Sequence, residues 1–427
     1  MSHRLSQPPE IYPISNIRIP EVQAYTSAHD IPVYQISHTS SELVLIDLVF
    51  AAGRPYESQQ LVSAACAGLM RQGAGKYTSY ELSEEIDYLG ATLSIKSTMD
   101  YISIRSVCMR KYLPHMIDLI GIVLSKPSYD QRELDLYRSQ NISRLKMQLS
   151  KPDIKSYRAI TEAIYGPSHP YGYNSSEELY NNLTTDLLKQ HHHKYIHSSN
   201  CKVFIAGRLD KDQLPLVHRL CSYVRADSID LRPPDMSSYP ETSPAKLRLE
   251  GGTHQASIRI GRKAVTRLDE DFYGLNYLVN VLGGYQGSRL VSSLRERKGL
   301  TYSIYSMLDI LAYDADMIIS TEVALDKVEE SLDTIYEEMQ VLTEKLVSEE
   351  EIKMVDNYLL GNYLNLFDGP FNSIRAIKSL VLAGYPLNKL GTLIGSSVAF
   401  DAYSIRQMAR KYFKRNDFWE VIVGTAV

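Results

Sequence analysis

Two groups of side chains are spaced so that they could do chemistry. In the segment LRERKGLTY, Arg295 and Tyr302 stand seven residues apart. A guanidinium and a phenol can hold a peptide backbone and stabilise an oxyanion once water is excluded. In the segment LKQHHHKYIH, the cluster His191, His192, His193 and His197 contains an i, i+4 pair, and such a pair on a helix shares one face, as metal ligands must. Each group also has a plain structural reading. The run RERK makes a solvated helix end, and a tyrosine after Gly-Leu-Thr suits an ordinary strand. The histidines make a polar helix face ahead of a strand-like stretch at 202–206. No glutamate lies between His193 and His197 to act as a hydrolytic base, so incidental metal binding fits them better than catalysis.

The elements that would position these groups repeat. In the first half a strand-like stretch at 42–50 precedes helical stretches at 59–70 and 79–88, then Gly90-Ala-Thr-Leu-Ser94 and alternating strands around 100–107. In the second half the strand is 256–260, the helices are 269–281 and 288–296, and Gly299-Leu-Thr-Tyr-Ser303 follows with more strand. Amphipathic helices close both series, at 112–124 and 328–342, with apolar residues three and four apart. Matching elements in one order point to duplication. Between the halves, residues 225–245 (RADSIDLRPPDMSSYPETSPA) are rich in proline, serine and acids, and read as a linker. The expected organisation is an N-terminal domain at 1–224, the linker at 225–245 and a C-terminal domain at 246–427. The expected fold class is α+β: two homologous domains, each an antiparallel-rich sheet with helices packed on one face.

Composition excludes several functions. The chain of 427 residues exceeds what one core normally serves. A net charge of -4 argues against a nucleic-acid surface. The first twenty residues contain no apolar run that could act as a signal-peptide core, and no stretch of about eighteen apolar residues appears for a membrane span. Cys66, Cys108, Cys201 and Cys221 are scattered without a Cys-x-x-Cys pair, which suits reduced, buried thiols and a cytoplasmic location. Tyrosine is abundant, 31 against 8 Phe and 1 Trp. Such side chains suit wet interfaces, although composition does not place them.

Four stretches give the chain a family resemblance: 59–79 with the following SYELSEEIDYLGATLSIKSTMDY; His169-Pro-Tyr-Gly172 with a helix and VFIAGRLD; LGGYQGSRLVSSLRERKGLTYSIYS at 282–306; and the helical region 348–363. Together they resemble the pitrilysin and mitochondrial-processing-peptidase family of zinc peptidases, in its form with two-domain subunits that build half of a clam-shell chamber. That family carries H-x-x-E-H on a helix, two histidines holding zinc and a glutamate acting as base, with a third ligand from a later helix. The resemblance puts the motif on Ala64, Ala67 and Gly68, with the third ligand falling near Arg144. Alanine and glycine side chains carry no ligand atom, and no His or Glu lies between Gln59 and Tyr80.

The resemblance implies further roles. Arg295 and Tyr302 match the family's arginine–tyrosine pair, which reaches substrate at a zinc held by the other half. Leu93, Ser94 and Ile95 match an edge strand to which peptide adds as an extra strand, although an ordinary edge strand fits equally. The loop at 250–255 has two glycines that permit close approach of another chain, and a plain turn explains it too. The expectation is a zinc-free, non-catalytic subunit that binds no cofactor itself, has no peptidase activity alone, and completes the active site of a zinc-bearing partner for hydrolysis of unfolded peptides. The alternative is an inactive homodimeric scaffold that binds peptide or serves structure. A relocated zinc site in an independent peptidase is a third, weaker reading.

Overall fold

In the computed structural model, which describes residues 17–37, 41–209, 213–227, 233–251, 254–398 and 400–424, the apolar runs assemble into two sheets. The first contains β1 (Gln23–Thr26), β2 (Pro32–Ser37), β3 (Leu43–Phe50), β4 (Thr92–Ser97), β5 (Ile102–Met109) and β6 (Cys201–Gly207), in the order β1-β2-β6-β3-β5-β4. The second contains β7 (Lys246–Leu249), β8 (Gln255–Lys263), β9 (Thr301–Ile310), β10 (Ala315–Ala324) and β11 (Trp419–Val423), in the order β7-β11-β8-β10-β9. Without β1 the two orders coincide. They agree even in the parallel pair, β2 with β6 and β7 with β11, the other pairings being antiparallel.

The two Gly-x-Thr-x-Ser segments do the same local work. Gly90 and Gly299 turn the chain from helix to strand with φ of 57° and 62°. A Cβ added at either would meet nothing, so the left-handed backbone, not crowding, is what favours glycine there. Helix Ser79–Tyr88 begins where Thr78 and Glu81 form a reciprocal capping box. In the second half the expected helix over 269–281 runs as α-helix only over Phe272–Val279. It then widens into π-helical turns at Asn280–Gly284 and again at Val291–Arg297.

Strand β3 shows how the halves are tied together. Val44, Ile46, Leu48 and Phe50 face the helices of the first half. Leu45 and Val49, on the alternate face, meet Ile374, Ile377 and Leu380 of helix Gly369–Leu382 from the second half. The exchange is mutual. Ile160 and Ile164 of helix Pro152–Tyr165 pack on Ile318, Val421 and Val423 of the second sheet. There Gly261 lets the helix close in, since a Cβ would lie 2.9 Å from Ile164 Cδ1. Each sheet thus carries its own helices on one face and a helix from the opposite half on the other. No helix among the described residues is long and apolar enough to cross a membrane. Parts of the 225–245 linker and of the 250–255 loop lie outside the described residues.

Candidate functional site

Helix Val62–Leu69 carries the three motif positions. Ala64 is exposed, Ala67 is buried and Gly68 is half-buried. The helix starts from Leu61, held at φ 73°. Glu57 secures this turn: its carboxylate accepts from Ser63 N at 2.9 Å, Ser63 Oγ at 2.6 Å, Leu61 N at 3.2 Å and Tyr173 Oη at 2.7 Å. Burial, the largest effect, nevertheless raises the Glu57 carboxyl above its ordinary value. With its oxygens so engaged, Glu57 is a cap for the helix start and not a spare ligand.

Helix Gln131–Gln148 packs beside this helix and brings Tyr137 to Gly68. A Cβ on Gly68 would stand 2.9 Å from Tyr137 Cε2, so a tyrosine ring lies where a histidine side chain would begin. Arg144 is exposed on the same helix, seven residues on and so on the same side as Tyr137. Two alanines, a glycine backed by a phenol ring and a guanidinium give zinc nothing to bind, and no hydrolytic step can be built on them. Glu57, Tyr137 and Tyr173 were not singled out from sequence. Their roles depend on contacts between segments that no local spacing reveals.

Arg295 and Tyr302 do come together. Arg295 lies in the π-helical segment Val291–Arg297, and Tyr302 near the start of β9. The Arg295 guanidinium carbon is 5.6 Å from the Tyr302 ring centroid, within cation–π range. Arg295 also donates to Gln286 Oε1 at 2.8 Å. Both side chains are exposed, Tyr302 by 88%. No hydrogen bond, ion pair or ring contact joins either of them to Ala64, Ala67, Gly68 or Arg144 among the described residues.

Strand β4 is the free edge of the first sheet, and β9 holds the same position in the second. Leu93 and Ile95 turn their side chains inward, while Ser94 is half-buried. The Leu93 carbonyl accepts from the Arg71 guanidinium, so that position of the edge already has a donor.

The histidines diverge. His191 is buried and donates from Nε2 to Ala52 O at 2.9 Å, whereas His193 is exposed. His197 is buried, with Nδ1 3.0 Å from Ser199 Oγ. Burial pushes His191 and His192 down to about 4 and lowers His197. Among the described residues no three His, Cys, Asp or Glu side chains gather as a metal would require. The four cysteines are free and buried, and burial raises their thiols.

Comparison with known proteins agrees with this picture. Residues 182–359 match the family described as the peptidase M16 inactive domain. The uncharacterized zinc protease YmxG of Bacillus subtilis is 22% identical over 349 residues, which cover 80% of this chain and 84% of that protein. The non-peptidase homolog YmxG of Helicobacter pylori is 21% identical, covering 92% of this chain and 91% of its own length. Among solved structures, a peptidase M16 inactive domain from Pseudomonas fluorescens superposes with a TM-score of 0.87 at 18% identity, covering 95% of this chain and 98% of that one. A protease from Helicobacter pylori gives the same TM-score at 14% identity, covering 96% and 100%. Residues 182–359 of this chain thus resemble the peptidase M16 inactive domain, and the chain shares the fold of such proteins over most of its length while carrying no H-x-x-E-H sequence.

Proposed function

We propose that this chain is a zinc-free, cofactor-free subunit that captures extended peptide and presents Arg295 and Tyr302 to the active site of a zinc-bearing M16 partner. The observation that carries this reading is the Arg295–Tyr302 pair itself: a cation over a phenol, both exposed, with no carboxylate of the described residues neutralising the guanidinium. In a closed site the two groups would donate to the oxygen of a tetrahedral intermediate while the partner's metal activates water. The buried, unpaired cysteines fit a reducing cytoplasmic setting for such a pair.

The test is isolation of the chain from its native cells with whatever copurifies, followed by metal analysis and peptidase assay. The reading expects a companion chain, with zinc and activity only in the complex. In that complex Arg295→Ala or Tyr302→Phe should lower turnover roughly 10–100-fold. A metal-free homodimer with no companion would instead establish the scaffold role.

A further inference from the structure

The seam between helix Pro152–Tyr165 and the β9–β10 hairpin holds a cavity of about 210 Å³. Strand register puts Asp309 of β9 directly opposite Asp316 of β10 on its wall. Like charges directly across a ladder destabilise a sheet. The next residue in the same row, Lys263 of β8, does not relieve them: it pairs with Asp314 at 3.3 Å and lies 5.6 Å from the Tyr165 ring centroid. Neither Asp309 nor Asp316 has an ion pair among the described residues.

Asp316 is 2% exposed. Its Oδ2 accepts from Tyr165 Oη at 2.8 Å, while Oδ1 is buried without any hydrogen-bond partner. Leaving a buried carboxylate oxygen unmatched is costly. Burial, then Asp309, push the Asp316 carboxyl up to about 7, and burial raises Asp309 as well. Two arginines line the same cavity, but both are spent on the wall formed by residues 170–175. Arg54 donates to Pro170 O at 3.2 Å and Tyr173 O at 3.1 Å, and Arg158 donates to Ser175 O at 2.6 Å. A cation that brings several donors would match this carboxyl pair.

We propose that this cavity binds the free amino terminus of an extended peptide, its ammonium bridging Asp309 and the unpartnered oxygen of Asp316. An ammonium carries three donors, enough for both carboxyl groups and one further acceptor. Tyr305 and Met307 lie exposed along β9 between Tyr302 and Asp309. At about 3.3 Å per residue, the seven positions separating Tyr302 from Asp309 span roughly 23 Å. A chain anchored at the carboxyl pair would reach the Arg295–Tyr302 pair after about seven extended residues. The inference rests on the peptide-capturing part of the function proposed above and not on a zinc partner.

Isothermal titration of the full chain tests it with an unstructured eight-residue peptide amide of alternating valine and serine. The peptide is used with a free amino terminus, with that terminus acetylated, and acetylated with one internal lysine. The free peptide should bind, and acetylation should weaken it at least tenfold. Asp309→Asn and Asp316→Asn, each checked for retained fold by circular dichroism, should weaken the free peptide to the level of the acetylated one. Asp309 is the half-buried member of the pair, so its variant keeps the test open if the Asp316 variant does not fold. Equal affinity for free and acetylated peptides, or binding of neither, overturns the proposal. Binding of the acetylated lysine peptide as tightly as the free one overturns the amino terminus as ligand. No turnover is read, so failure here leaves the Arg295 role standing, and an absent zinc partner leaves this site standing.

Discussion

At the scale of single residues, the helix position that the resemblance sets against a zinc ligand, Gly68, carries no ligand atom and is backed by a packed ring. Substituting glycine by alanine inside a helix ordinarily gains up to about 1 kcal/mol. At Gly68 the added Cβ runs into the Tyr137 ring at 2.9 Å, and overpacking of this kind costs about 1–3 kcal/mol. The clash is the larger effect, so Gly68→Ala should lower stability in urea denaturation. In a Tyr137→Ala background the same substitution should change sign and stabilise by up to about 1 kcal/mol. If Gly68→Ala costs the same in both backgrounds, Tyr137 is not what fills the site. The same geometry explains why reinstating histidines at 64 and 68 would not rebuild a metal centre: the second histidine would have to displace a packed aromatic ring.

At the scale of elements, helix Thr185–Tyr195 shows what its histidine-rich sequence is for. The i, i+4 pair His193 and His197 is compatible with a metal or with structure, but the helix ends at Tyr195 and the pair parts: His193 is exposed while His197 is buried beyond the helix end. Held near 4 in the fold against about 6.5 unfolded, His191 and His192 favour the native state while neutral. Their contribution is complete above about pH 6.5 and is lost as pH falls toward 4, up to about 3 kcal/mol each. His191→Gln should be less stable than the natural chain at pH 7, yet lose about 1–3 kcal/mol less between pH 7 and pH 4.5. Parallel pH profiles for the two proteins would remove the histidine from the account. Much of the element order was legible because it rests on local signals: Ser79–Tyr88 has its capping box, and Gly90 and Gly299 supply left-handed turns. The π-helical turn that carries Arg295 looks like ordinary helix in the sequence, because apolar spacing does not distinguish a helix from its widened form. No local signal points to strand β11 or to the Asp309–Asp316 pair. Strand partnership and register are set by long-range pairing, and no window of sequence contains both partners.

At the scale of the whole molecule, the crossed helices make the two halves depend on each other more than their duplicated sequences suggest. On the far face of the first sheet, Asp47 is 1% exposed and bonds Arg105 at 2.7 Å from its own half. It also bonds Lys378 at 2.8 Å from helix Gly369–Leu382. Ile36, Leu45, Val49 and Phe204 surround that contact and are covered by the same helix. Separated from the second half, the first sheet would expose this apolar face together with a carboxylate that has lost one of its two cations. Side chains of that size contribute about 1.5–3 kcal/mol each when fully buried, so the loss rivals the whole stability of an ordinary domain, about 5–15 kcal/mol. The second sheet would likewise lose Ile160 and Ile164 from Ile318, Val421 and Val423. Residues 1–224 and 246–427 produced apart should each bind a hydrophobic dye and lack a cooperative melting transition. Mixed together, they should regain one transition close to that of the intact chain. Lys378→Met should weaken the reassembled pair more than the intact chain, since in the mixture the helix must be recruited from solution. Two separately cooperative melts, each indifferent to the other fragment, would mean that the crossed helices pack against sheets already stable without them.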